Sequence, residues 1–215
     1  MRGRRSPAAS TPGSTMHGSP LGSGLAADLV MTDVFYLRPM NPPVKPEDLT
    51  GMIEFAAGCF ELHHVDWKHS FLSADGGRML CWYQAPDAES ARMALRELGS
   101  NLHGMWAGKV AGEGAQSPAI SAANLLAEVR FPSPLSVDDI ATRVASLERQ
   151  GVTVVRSILS NSGTQWYGLL KARDEQSARS ALEHAGLSAE LVWPGTPVTP
   201  KAAGSASAHR SSNPS

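Results

Sequence analysis

Apolar positions along the chain fall into short alternating runs separated by helical stripes, and the whole series occurs twice. Val34–Arg38 alternates as a short strand and is ended by Pro39, Pro42 and Pro43. From about Pro46 to Leu62 the spacing of Leu49, Met52, Ile53 and Phe60 predicts a helix. Pro46 suits its first turn, and Glu47 and Asp48 favour its positive end. Two strands, Val65–Ser73 and Arg78–Ala85, flank Ala74-Asp75-Gly76-Gly77, a hairpin signal because Asp-Gly readily takes the turn conformation. Pro86-Asp87 opens a helix over 87–98, Gly99 stops it, and a last strand covers about His103–Ala107. The order then returns: strand 124–131, helix 136–149, strand 152–160, a turn at Asn161-Ser162-Gly163, strand 165–172, helix 174–185, Gly186 and strand 189–193.

The two series align. Residues 65–108 lie on 152–195 without a gap, with about a third of positions identical, among them Ser70/Ser157, Leu72/Leu159, Gly76/Gly163, Asp87/Asp174 and Trp106/Trp193. Strand–helix–strand–strand–helix–strand is the ferredoxin-like split βαβ order, so each copy predicts a four-stranded antiparallel sheet with two helices on one face. Alternation in the first copy places Val65, Trp67 and Phe71 on one side and Leu72 with the stem of Lys68 on the other. In the second, Val152, Val154 and Ile158 oppose Val155 and Leu159. Apolar residues on both sides predict that neither sheet face is left to water. The fold class expected is α+β: two tandem ferredoxin-like repeats packed sheet to sheet as a pseudo-dimeric α+β barrel, either a monomer or a homodimer through its sheets. The divisions expected are a disordered tail 1–30, repeat 1 over 31–111, a linker 112–121, a degenerate repeat 2 over 122–196 and a disordered tail 197–215, the tails and linker being rich in Gly, Ser, Pro and Ala. Met31, just before the first strand, is a second possible start.

A net charge of −1 over 215 residues argues against a nucleic-acid footprint or a polybasic membrane patch. Two cysteines, Cys59 and Cys81, make no disulfide framework and point to a reducing cytoplasm. No apolar run approaches the roughly 20 residues a spanning helix needs. Neither a Gly-rich phosphate loop nor a nucleophile motif is present, which argues against nucleotide-dependent chemistry.

Features found in one copy only are the candidates for function. About four extra residues separate helix from strand in the first copy, in the stretch CFELHHVDWKH. With His103 it places four of the seven histidines in one repeat, none matched by a histidine in the other: His69 faces Arg156 in the alignment, Asp66 faces Thr153 and His103 faces Glu190. Imidazole and carboxylate suit divalent transition metals, which makes His63, His64, Asp66, His69 and His103 candidate ligands. His64 and Asp66, two apart on a strand, share a face, whereas His69 takes the opposite one, so not all five serve one ion. Cys59 and Cys81 read as small packing residues and Lys68 as solvated. Trp106 and Trp193 read as scaffold, and the unmatched Trp67 and Trp82 as core, with pocket lining the alternative.

The hairpin reads Trp67, Ser70, Phe71, Leu72, Ser73, Asp75, Gly76, Cys81, Tyr83, Ala85, Pro86, Asp87 and Glu89. In this pattern the chain resembles, over about residues 32–110, a bacterial family of single-domain ferredoxin-like proteins, formerly a domain of unknown function, with a nickel-binding member that dimerises through its sheets. The resemblance implies nickel, or another divalent transition metal, as the cofactor. The second copy departs from the pattern at Val154, Gly168 and Leu170, as a covalently attached dimer partner would. Three functions follow: a cytoplasmic metal-binding protein using the His/Asp cluster; an α+β-barrel enzyme (isomerase, cyclase or cofactor-independent oxygenase, by analogy of fold) with a pocket between the sheets and His64 with Asp66 as general base; or a small-molecule sensor without chemistry. A closed pocket lined by Trp67, His69, Cys81, Tyr83 and His103 would mark the enzyme.

Overall fold

The computed structural model describes residues 30–111 and 119–199; nearly all of the two expected tails and most of the 112–121 linker lie outside the described residues. The first repeat comprises β1 (Thr32–Pro39), α1 (Leu49–Leu62, entered through a 3-10 turn Pro46–Asp48), β2 (Asp66–Ser73), β3 (Arg78–Ala85), α2 (Ala88–Glu97) and β4 (Met105–Ala111). The second comprises β5 (Leu125–Arg130), α3 (Val137–Arg149), β6 (Thr153–Ser160), β7 (Gln165–Lys171), α4 (Glu175–His184) and β8 (Ala189–Val198), preceded by a 3-10 turn at Ile120–Ala122. Helix starts follow local chemistry. Asp87 and Asp174 each accept from the backbone N–H three residues on, at 2.7 Å, and Ser136 forms a reciprocal box with Asp139.

All eight strands close into one antiparallel ring, β1-β3-β2-β8-β5-β7-β6-β4. Within a repeat the pairing is the expected one. Between repeats, β2 pairs β8 over Ser70–Ser73 against Gly195–Val198, and β4 pairs β6 over Gly108–Ala111 against Ser157–Ser160. The last strand of each repeat is therefore longer than its alternation predicted, and residues 197–198, expected in the tail, belong to β8. At the two seams sit matched glycines. A Cβ on Gly108 would lie 2.8 Å from the Leu159 carbonyl oxygen, and one on Gly195 would press on the equivalent Leu72 carbonyl.

Closure divides the apolar residues into three groups. Inside the ring lie side chains from both repeats, chiefly Phe35, Phe71, Trp82, Leu126, Ile158, Tyr167 and Trp193, with Ile120 of the linker packed against them. Outside it, each repeat has its own core between sheet and helices. The aromatic rings pack in a connected series, Trp82 on Phe35, Phe35 on Trp106 and Trp106 on Tyr167, with centroids 6.3, 5.8 and 4.7 Å apart.

Strict alternation misplaces several strand residues, because β2 and β6 each carry a bulge at matched positions. Pairing with the neighbouring strand shifts between Trp67 and His69, and between Val154 and Arg156. One extra residue reverses the side on which every later residue falls. Trp67 thus faces the helices while Phe71 enters the ring, and Val154 faces the helices while Ile158 joins Val155 inside.

Substitution at a seam tests this closure. Gly195→Ala, which sets a methyl against backbone, is expected to cost about 1–3 kcal/mol. Gly51→Ala, on an exposed stretch of α1 with nothing within 4 Å of the new Cβ, is expected to stabilise by about 0.4–1 kcal/mol. Urea unfolding of both variants gives the two signs.

Candidate functional site

The five proposed metal ligands do not come together. His63 caps the end of α1 and its Nε2 lies 3.1 Å from Glu97 Oε1 on α2. His64 follows with a positive φ of 54° and is exposed. Asp66 pairs with Lys68 at 2.9 Å at the exposed start of β2. His69 is buried inside the ring, edge-on to Trp82 at 4.8 Å. His103 lies in the turn before β4, not on the strand, and is exposed. Among the described residues no three His, Cys, Asp or Glu side chains are placed to share an ion. Clustering in sequence fails here because the helix–strand corner and the bulge send neighbouring side chains to three surroundings: the α1–α2 surface, solvent and the barrel interior. The nickel expectation therefore gains no support from this geometry.

The pocket expected between the sheets is corrected. Trp67, Cys81 and Tyr83 belong to the helix-side core and His69 to the interior, so they do not line one cavity. The ring interior is occupied by side chains. His69 is held there as the neutral imidazole: burial, then the nearby Arg156 and Lys68, push its pKa down to about 4.

A cavity of about 80 Å³ lies instead on the helix side of the first repeat. α1 supplies Met52, Ala56 and Phe60, α2 supplies Leu95, and the sheet supplies Trp67 and Tyr83, with the exposed Phe55 at the mouth. Phe60, Trp67 and Tyr83 form an aromatic trio with centroids 5.5–6.1 Å apart. Trp67 Nε1 donates to Ser70 Oγ at 2.9 Å, which fixes the indole. Burial, with Cys81 beside it, raises the Tyr83 pKa well above that of a free phenol, so its hydroxyl stays protonated and able to donate. One charged side chain lines this apolar wall, Arg38 of β1.

The second repeat shows what the same space becomes when closed. Arg38 is replaced in register by Val129, Tyr36 by Ala127, Trp67 by Val154, Cys81 by Gly168 and Tyr83 by Leu170. The Trp166 indole, standing where Met79 stands in the first copy, lies across Gly168: a Cβ there would come within 2.8 Å of its Cζ2. Trp166 Nε1 donates at 2.8 Å to Ser157, the counterpart of Ser70. Equivalent serines thus accept an indole from β2 in one repeat and from β7 in the other. Trp166 is wholly buried and fills its half.

A wider, open recess of about 340 Å³ lies at the barrel rim by the β2–β8 seam, lined by Asp75, Arg78, Leu191 and Trp193. Glu128, nearly buried beside it, accepts from Trp193 Nε1 at 2.7 Å and from Arg78 at 3.5 Å. Burial, then the Glu128 charge, pushes Tyr167 up to about 12. Neither Arg38 nor Glu128 was singled out from sequence. Laying β1 on β5, which sets Arg38 against Val129 and Leu37 against Glu128, is the signal that would have found both.

No family model matches the chain, and no curated protein matches its sequence. Solved structures with a similar backbone include chlorite dismutase variants from Candidatus Nitrospira defluvii. One is 9% identical over 82% of this chain and 94% of its own, with a TM-score of 0.44. Another is 8% identical over 80% and 92%, with a TM-score of 0.46. An anthrone oxidase-like protein is 11% identical over 79% and 93%, with a TM-score of 0.38. At such identities the likeness concerns the fold alone, an α+β barrel made of two ferredoxin-like halves. Among the described residues no helix is long and apolar enough to cross a membrane.

His69 yields a pH prediction. Its folded pKa lies below the 6.5 of a free imidazole, so the unfolded chain binds the proton first as pH falls. Stability is therefore fully present above about pH 6.5 and is lost progressively down to about pH 4, by up to about 3 kcal/mol. His69→Gln is expected to flatten that slope in urea unfolding measured across pH 4–7.

Proposed function

We propose that the chain is an α+β-barrel protein whose first repeat holds a small-molecule site of enzyme type between its helices and sheet, while the second repeat completes the barrel. The contrast between the copies carries this reading: the helix-side space is open behind Trp67 and Tyr83 in one half and filled by Trp166 in the other. A cavity with a mostly apolar wall and a few polar groups is the usual form of such a site. Its volume, about 80 Å³, is well below the several hundred Å³ of a drug-sized pocket, so the occupant is a single ring or a short branched chain.

The chemistry on the wall fits proton transfer or polarisation of a carbonyl. Tyr83 stays protonated and can donate, Arg38 can stabilise a developing oxyanion, and the aromatic trio makes the surrounding wall apolar. Those are tasks for an isomerase, a cyclase or a cofactor-independent oxygenase. The His64 and Asp66 pair proposed as base is exposed at the far side of the helix–strand corner and has no place in this reaction.

Small ring and branched compounds such as benzaldehyde, cyclohexanone and isovalerate, added at about 100 times their Kd, should stabilise the wild-type chain by about 2.7 kcal/mol. Ala56→Phe, which fills the cavity from α1, should abolish the shift while leaving the circular dichroism spectrum unchanged. Absence of any shift in the wild-type chain across such a panel would overturn the reading.

A further inference from the structure

We propose that the occupant of the first-repeat pocket is an organic anion, a small apolar body bearing a carboxylate or enolate oxygen, held by Arg38. The inference rests on the small-molecule site argued above and names its ligand class. Arg38 is the one charged residue on the cavity wall, and its Nε is buried with no hydrogen-bond partner. Its guanidinium lies 5.9 Å from the centroid of the Tyr36 ring, and no carboxylate of the described residues pairs with it.

The lack of any acceptor for its guanidinium among the described residues sets Arg38 apart from the other partly buried arginines. Arg78 reaches Glu128, Arg92 reaches Glu89, Arg179 reaches Glu175, and Arg143 and Arg156 each reach a backbone carbonyl. Withdrawing a guanidinium from water without a counter-charge is costly, and proteins ordinarily supply one. The equivalent position in the second repeat is Val129, packed in an apolar core, so the barrel does not need an arginine there for its architecture. A cation placed in an apolar wall, facing an open volume and lacking an acceptor, has the form of half an ion pair. The guanidinium fork matches a carboxylate, with two parallel N–H donors.

Other wall groups favour the same ligand. Tyr83 and Ser100 offer hydroxyl donors, and no acidic side chain lines the cavity, so a cationic ligand finds no counter-charge and meets the like charge of Arg38. A neutral isostere leaves Arg38 without a counter-charge, and discrimination by charge is therefore expected to exceed discrimination by shape.

The test uses the full chain and matched probes of one shape: benzoate against benzamide, and isovalerate against isovaleramide, by ligand-observed NMR with titration. In wild type the anion should bind at least about tenfold more tightly than its amide, the scale of one charge-assisted hydrogen bond. Arg38→Met should erase that preference while keeping the amide's affinity. Arg38→Lys should restore part of it, and Arg96→Met, on the exposed end of α2, should leave it intact. Equal binding of acid and amide by wild type would overturn the anion inference and leave the small-molecule site standing. Binding of neither, in any pair, would overturn both. The wild-type comparison needs no variant, so it holds even if Arg38→Met fails to fold.

Discussion

Everything else in this molecule depends on the pairing of β2 with β8 and of β4 with β6. A four-stranded ferredoxin-like sheet alone exposes two edges of unpaired N–H and C=O groups, and one face of apolar side chains. Here each repeat supplies the other's missing neighbours, so the ring has no edge. Glycines at both seams let the backbones approach where a methyl group would strike a carbonyl, which is why Gly108 and Gly195 recur at equivalent positions.

Closure also decides where chemistry can reside. A ring of eight strands has an interior just wide enough to be filled by side chains, and Phe35, Trp82, Trp106, Tyr167 and Trp193 fill it. That interior carries the fold. Among the described residues, space enclosed between packed elements then remains in the layer between sheet and helices, once in each repeat. In the second repeat that layer is closed by Trp166 over Gly168; in the first it keeps a cavity and an arginine without an acceptor. Duplication inside one chain allows this division, because a homodimer would be bound to repeat the same wall twice.

The repeat, the eight strands, the four helices and the barrel were legible from alternation, turn residues and helix spacing. Pro46, Asp87, Ser136 and Asp174 act locally, within one turn of the chain, and so could be read one window at a time. The site was not legible in the same way. His63, His64, Asp66 and His69 are adjacent in sequence, but a helix end, a left-handed residue and a bulge intervene between them. The bulge is the decisive element. One additional residue in β2 turned Phe71 inward and left Trp67 outside, and nothing in the composition of DWKHS announces it. Arg38 escaped notice because a lone arginine near a strand end is ordinarily solvated; only its neighbours from α1 and α2 make it a half-buried cation whose Nε meets no acceptor.

By itself, the amino-acid order determined which segments become strands and helices, and that they come in two related sets, because those preferences arise from residues within a few positions of one another. The tertiary structure alone decided that GKVA and GTPV, which read as loop, are strands. Their partners lie about fifty residues away in one case and more than a hundred in the other, and extended backbone without a partner has no local signature. It also decided which half keeps a cavity. Open volume is what remains after side chains from five elements have packed, so it belongs to no stretch of sequence, and the significance of Arg38 appeared only once that volume was in place around it.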